Sequence, residues 1–291
     1  MNRTATLGPA VGRADDFYAL GYCNDVDELE QETDPDRNES TWVLRYQKAK
    51  KTIVGRVNER VDGLWQPLEG PMLAVGGGRY GVWEIDAAGA RDVALSPPAP
   101  DSFRSIWGTD AGELFACGGY FGPFVLHRRA GQWTSLPLPP DCALTYDVRG
   151  FSDREVYVAG EKGQILLWDG DAFSKLAVPT SGILTSLARL SATEMCAAGY
   201  LRELLVGNKQ GWRVVPLSPK DPILALAEWN GRVFYGADGA VWAFDGRSAP
   251  TIAIAEPARW VSALADGLVF DGGAQARLYH DDELVTLDTT V

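Results

Sequence analysis

The sequence predicts an all-β fold built from one four-stranded antiparallel unit repeated seven times. Three observations carry that prediction. An apolar run ending in glycine recurs at near-constant spacing, further runs keep step with it, and Gly, Asp, Asn and Pro separate the runs throughout.

The glycine run reads "FYALGY" (17–22), "MLAVGG" (72–77), "LFACGG" (114–119), "VYVAGE" (156–161), "MCAAGY" (195–200), "VFYGAD" (233–238) and "LVFDGG" (268–273). Its glycines, Gly21, Gly76, Gly118, Gly160, Gly199, Gly236 and Gly272, are spaced by 55, 42, 42, 39, 37 and 36 residues. Each run is assigned as a second strand. About five residues on come the third strands, "GVWEI", "FVLHR", "ILLWD", "LLVGN", "AVWAF" and "ARLYH". After a further turn, "GLWQPL", "GQWTSL", "DAFSKL" and "GWRVVPL" supply fourth strands. First strands are "FRSIWG", "LTYDVRG", "ILTSLARL", "ILALAEW" and "RWVSALA". Such a unit cannot bury both faces of its own sheet, whereas radial stacking lets each sheet cover its neighbour. The fold expected is a seven-bladed β-propeller, one domain over 1–291, with blades at about 1–69, 70–100, 101–141, 142–180, 181–220, 221–257 and 258–291. Trp65, Trp133 and Trp212 recur at the start of the fourth strand and Trp83, Trp168 and Trp242 within the third, a recurrence that marks packing between blades.

Blades 3 and 4, "SIWGTDAGELFACGGYFGPFVLHRRAGQWTSLPL" and "TYDVRGFSDREVYVAGEKGQILLWDGDAFSKL", resemble a bacterial propeller repeat that runs V-W-G-s-s-x-x-D-V-y-a-V-G-x-x-G-x-I-l-x-y-D-G-x-x-W. The likeness is weaker in blades 5 to 7. It implies the fold and leaves function open, since repeats of this kind serve as binding platforms, assembly factors and occasional enzymes.

Hydrophobic residues make up 46% and charged residues 23% of the 291, and no stretch approaches a membrane span. The N-terminus has no apolar core of the kind that directs secretion, so a cytoplasmic location is expected. Cys23, Cys117, Cys142 and Cys196 follow no zinc spacing, and Cys117 and Cys196, inside apolar runs, are expected to be buried and reduced. A net charge of −12 argues against direct contact with a nucleic-acid backbone and suits a basic partner.

Shared features explain the fold, so function is sought where the units differ. The longest spacing holds "CNDVDELEQETDPDRNES" (23–40), with Asp25, Asp27, Glu28, Glu30, Glu32, Asp34, Asp36 and Glu39 against one Arg37. It joins the second and third strands of blade 1. In a four-stranded meander those turns emerge on the same side as the connections between blades. The acidic segment therefore shares a face with Arg79, Tyr120, Phe121, Glu161, Lys162, Tyr200, Arg202, Glu203 and Asp238. One account makes the segment a solvated insertion; the other makes it a feature that attracts a basic protein from a distance, with Tyr120, Phe121 and Tyr200 as desolvated anchors. The basic stretch that follows, "RYQKAKKTIVGRVNER", is assigned to a long hairpin of blade 1.

Signals for chemistry are weak. "DPDRNES" opens like a calcium loop but lacks Gly at position six and Glu at position twelve. "GGGR" lacks the Lys-Ser/Thr of a phosphate loop. His127 and His280 fall on third strands of distant blades, where no triad is legible. The reading reached is a monomeric, non-enzymatic protein-binding module without cofactor. Its partner-binding residues are Asp25, Asp27, Glu28, Glu30, Glu32, Asp34, Asp36, Arg79, Tyr120, Phe121, Tyr200 and Arg202. One concrete form is an immunity protein that occludes a basic toxin domain. The alternatives are an assembly or scaffold factor, and a hydrolase or lectin using the central channel.

Overall fold

A computed structural model of the chain describes residues 4–23, 40–57, 59–67, 70–76, 81–95, 101–217 and 221–291, the side chain of Cys23 excepted. Every regular element in them is a strand, and no helix is long and apolar enough to cross a membrane. The strands form seven sheets of four, each an antiparallel meander in chain order. The all-β, seven-bladed propeller expected from the repeat is the observed fold.

Inner strands begin each blade and outer strands end it. Blade 3 runs Phe103–Gly108, Leu114–Gly118, Phe124–Arg129, Gln132–Ser135; blade 4 runs Thr145–Ser152, Glu155–Gly160, Ile165–Trp168, Phe173–Lys175. Burial follows this order. The second strands of blades 2, 3 and 5 are buried along their whole length, because sheets pack on both of their faces. Outer strands such as Thr251–Ile254 are largely exposed. The core accordingly divides into seven clusters between neighbouring sheets, as where Trp107, Phe115, Cys117, Val148, Val158 and Trp168 meet between blades 3 and 4.

The repeated glycines have a steric cause. A Cβ on Gly76, Gly118, Gly160, Gly199 or Gly272 would collide with the carbonyl oxygen of Arg60, Ser102, Leu144, Ile183 or Pro257, each just ahead of that blade's own inner strand. In blades 3, 4 and 5 the next residue uses the closeness. The N–H groups of Gly119, Glu161 and Tyr200 donate to those same carbonyls at 2.9, 3.0 and 3.1 Å. Glycine thus lets the end of the second strand dock on the connection between blades, which ties both to one face.

Blade 1 requires a correction. The repeat pattern assigns "GLWQPL" and Trp65 to a fourth strand and ends blade 1 near 69. In the structure Val61–Trp65 pairs with Met72–Gly76 and is the inner strand of blade 2, so blade 1 ends at the Lys50–Val57 strand. The basic stretch is the reason. Ser40–Gln47 and Lys50–Val57 form the long hairpin expected of it, and that hairpin already completes the first sheet. Trp65 still packs between blades, its ring 6.3 Å from that of Trp107.

Blades 7 and 1 close the ring without exchanging a strand. Asp271 accepts from the Leu7 N–H at 2.8 Å, Asp266 from the Ala14 N–H at 2.6 Å, and Ala5 N–H reaches the Thr289 carbonyl at 2.9 Å. Cys117 and Cys196 are buried and free, and Cys142 is free and half-buried. Burial pushes the Cys117 and Cys196 thiols far above the usual thiol range.

Candidate functional site

Asp25, Asp27, Glu28, Glu30, Glu32, Asp34, Asp36 and Arg79 lie outside the described residues. The strands flanking the acidic segment, Asp16–Cys23 and Ser40–Gln47, are the second and third of blade 1. The segment therefore joins the elements assigned to it.

Tyr120, Phe121, Tyr200 and Arg202 fall on the second-to-third-strand turns of blades 3 and 5, and all four are exposed. Tyr120 is 65% and Phe121 87% exposed, with ring centroids 5.0 Å apart and the planes nearly perpendicular. Tyr200 and its neighbour Leu201 are 54% and 55% exposed. The other large exposed hydrophobic side chains among the described residues, Ile53, Val214, Ile252 and Leu284, belong to outer strands on the rim of the ring. The two turns thus gather four large apolar side chains on one face.

Exposed aromatic side chains on a turn are useful for binding only if the turn holds its shape. The side chain of Asp101, a residue only 3% exposed in the connection between blades 2 and 3, supplies that restraint. One carboxylate oxygen accepts from the backbone N–H groups of Tyr120 (2.6 Å), Phe121 (2.5 Å) and Gly122 (3.3 Å); the other accepts from Ser102 N–H at 2.7 Å. Burial by itself would raise the Asp101 pKa, but the four N–H donors together hold it below the usual carboxylate value. Asp101 and Leu201 are not singled out by the sequence analysis. An Asp directly ahead of an inner strand was the available signal for the first, and its reach to residues 19 to 21 positions later could not be read from spacing.

Blade 4 sits between these turns. There Gln164, fully buried, accepts from Ala143 N–H at 2.9 Å and donates to Ala143 C=O at 3.1 Å. The Glu161 carboxylate accepts from the Tyr146 hydroxyl at 3.2 Å, and Lys162 remains exposed. Burial, with Glu161 beside it, raises the Tyr146 phenol above its ordinary value. Lys162 and Arg202 take φ of 57° and 61°, a left-handed conformation unusual for residues with a side chain.

Inner strands of all seven blades line a central channel of about 670 Å³. Its charged side chains are mostly paired with one another. Arg189 Nε lies 2.9 Å from Glu228, and Arg149 donates to the Ile106 and Val148 carbonyls at 3.2 and 2.9 Å while lying 3.4 Å from Asp147. Asp147 itself accepts from Ser105 Oγ at 2.5 Å and Leu187 N–H at 2.7 Å, joining three blades. His127 stacks on Phe115 with centroids 4.3 Å apart and its Nε2 lies 2.7 Å from Glu113; His280 is held at Asp266 C=O, in blade 7. Among the described residues no group of three or more His, Cys, Asp or Glu could hold a metal ion.

No family model matches the chain. A stretch of 100 residues is 29% identical to the immune protein Tsi7 of Pseudomonas aeruginosa, and the match spans about a third of either chain, 34% of this one and 33% of that one. Solved propellers superpose over nearly the whole length. The WD40 β-propeller domain of Doa1 gives a TM-score of 0.68 at 12% identity over 98% of this chain and 96% of that one. Virginiamycin B lyase from Staphylococcus aureus, in a catalytically inactive form with quinupristin, gives 0.71 at 9% identity over 100% and 96%. At such identities these structures speak to the fold alone.

Proposed function

We propose that this chain is a non-enzymatic protein-binding module of the immunity type, which binds and occludes a basic protein partner through the face formed by the second-to-third-strand turns. The observation that carries the reading is the exposed pair Tyr120 and Phe121, presented on a turn whose backbone is fastened by buried Asp101. The fold does not need two exposed aromatic side chains on that turn for its own stability, whereas exposed aromatic residues on a rigid support are what an interface uses as anchors. The partial likeness to an immune protein supports the same reading, and the cytoplasm is the compartment proposed for it. The acidic segment contributes attraction at a distance, which governs how fast a basic partner arrives, while the aromatic anchors govern how slowly it leaves.

The test is to co-purify the partner and measure its binding kinetics. Replacing Asp25, Asp27, Glu28, Glu30, Glu32, Asp34 and Asp36 by Asn or Gln is expected to slow association at low salt and to change it little at high salt. Tyr120→Ser with Phe121→Ser is expected to speed dissociation at least about tenfold, a loss of about 1.4 kcal/mol. If both variants bind like the wild type, the partner site lies elsewhere.

A second reading places a small ligand in the central channel, whose volume falls within the range of ligand pockets. Saturable stabilisation by a small molecule, retained in the Tyr120→Ser, Phe121→Ser variant, would favour it.

A further inference from the structure

Charge is unevenly distributed over this face. We infer that the apolar sector of blades 3 to 5 receives a segment of the partner in which a carboxylate stands between apolar side chains. The inference rests on the reading of the face as a protein-binding surface and names what one part of it recognises.

Three observations lead there. First, the acidic groups of this sector are turned inward or already engaged. Asp101 is buried on four N–H groups, Glu161 is taken by Tyr146, Glu203 has a buried carboxylate oxygen, and Asp141 pairs with Lys175 at 3.4 Å. Second, the outward charges of this sector that lack an ion pair are cations. Lys162 and Arg202 occupy equivalent turns of blades 4 and 5, are exposed, and make no ion pair among the described residues. Both hold left-handed backbone that glycine would adopt more readily, and neither side chain makes a hydrogen bond or ion pair among the described residues that would offset that strain. Third, the two turns are contiguous. Gly163 N–H donates to Gly182 C=O at 2.6 Å, and the Leu201 side chain lies against Gly182 from blade 5. Lys162 and Arg202 are therefore set beside Tyr200 and Leu201, on the face that also carries Tyr120 and Phe121, an arrangement complementary to an acidic group flanked by apolar ones.

The sector beside it, in blade 6, presents carboxylates on the same face. There Asp221 and Asp238 exchange bonds, each carboxylate accepting the other's backbone N–H at 2.9 and 3.0 Å, and both residues are exposed. A partner that covers both sectors must present a basic region to one and an acidic-apolar segment to the other. Charge of one sign throughout would be opposed at one end.

A library of random twelve-residue peptides displayed on phage, selected against the intact chain, tests this without knowing the partner. Enriched sequences are expected to place Asp or Glu between apolar residues. A synthetic peptide of that pattern should bind at least tenfold more weakly to Lys162→Glu with Arg202→Glu and to Phe121→Ser. It should bind at least as tightly to the variant neutralised at Asp25, Asp27, Glu28, Glu30, Glu32, Asp34 and Asp36, because removing like charge does not weaken an acidic ligand. Lys162→Gly with Arg202→Gly separates recognition from folding, because it should weaken the peptide while keeping or raising the melting temperature. Enrichment of basic peptides, affinity indifferent to the two cations, or no enrichment at all would overturn the inference. The broader reading fails on a different result, partner binding that ignores Tyr120 and Phe121.

Discussion

Blades 3 and 4 fasten the same turn to the same connection with the polarity of the clasp reversed. In blade 3 the side chain comes from the connection, Asp101, and takes the N–H groups of the turn. In blade 4 it comes from the turn, Gln164, and takes both backbone groups of Ala143 in the connection. The consequence is a difference in what each turn exposes. When the connection supplies the clasp, the turn residues are released to stand out, as Tyr120 and Phe121 do. When the turn supplies it, one of its own side chains is buried, and only Lys162 is exposed there. Blade 5 carries Glu203 at the position of Gln164, and one of its carboxylate oxygens is buried without a partner among the described residues.

The largest effect is expected from breaking the blade 3 clasp. Asp101→Ala leaves several N–H groups without their acceptor and should destabilise the chain by about 3 kcal/mol, measured by urea unfolding. Acid should narrow that difference. The Asp101 pKa is depressed in the folded state, so its contribution is complete above about pH 4, the unfolded carboxylate range, and is lost as pH falls through the lower folded value. A gap between wild type and Asp101→Ala that stays constant from pH 7 to pH 2 would contradict this account.

Breaking the blade 4 clasp should cost less, about 1–2 kcal/mol for Gln164→Ala, because its bonds are between neutral groups. Cys142 offers a local readout, since Gln164 Nε2 lies 3.3 Å from its Sγ. Thiol labelling of Cys142 is expected to accelerate in that variant, while Cys117 and Cys196 stay protected until the chain unfolds. Glu203→Gln sharpens the comparison in the opposite direction. It puts the blade 4 side chain into blade 5 and should stabilise by about 0.5–1 kcal/mol, seen as a raised melting temperature. The smallest change in stability, within about 0.5 kcal/mol, is expected for Tyr120→Ser with Phe121→Ser, because exposed side chains contribute little to folding. A large loss there would mean that the pair packs on the fold and is not free to bind.

Much of this architecture is legible in the chain because repetition converts weak local signals into a strong one. A single "LFACGG" says little, but seven such runs at 36 to 55 residues require seven equivalent environments. Trp65 shows where that reasoning fails. Its flanking residues fit a fourth strand, yet the long Ser40–Val57 hairpin had already filled that place, and only strand pairing reveals it. Leu201 escaped notice because an exposed leucine and a buried one look alike in sequence; its exposure depends on what the connection leaves uncovered.

The sequence by itself determined the number of blades, the glycine positions and which strands the acidic segment joins, since each follows from local pattern and from chain order along a meander. Tertiary structure alone decided which turns are fastened and from which side. A carboxylate at 101 and the N–H groups at 120 to 122 belong to different strand connections, and no local rule pairs them. Docking the end of the second strand onto the connection brings them within bonding distance. From that contact come both the burial of Asp101 and the exposure of Tyr120 and Phe121.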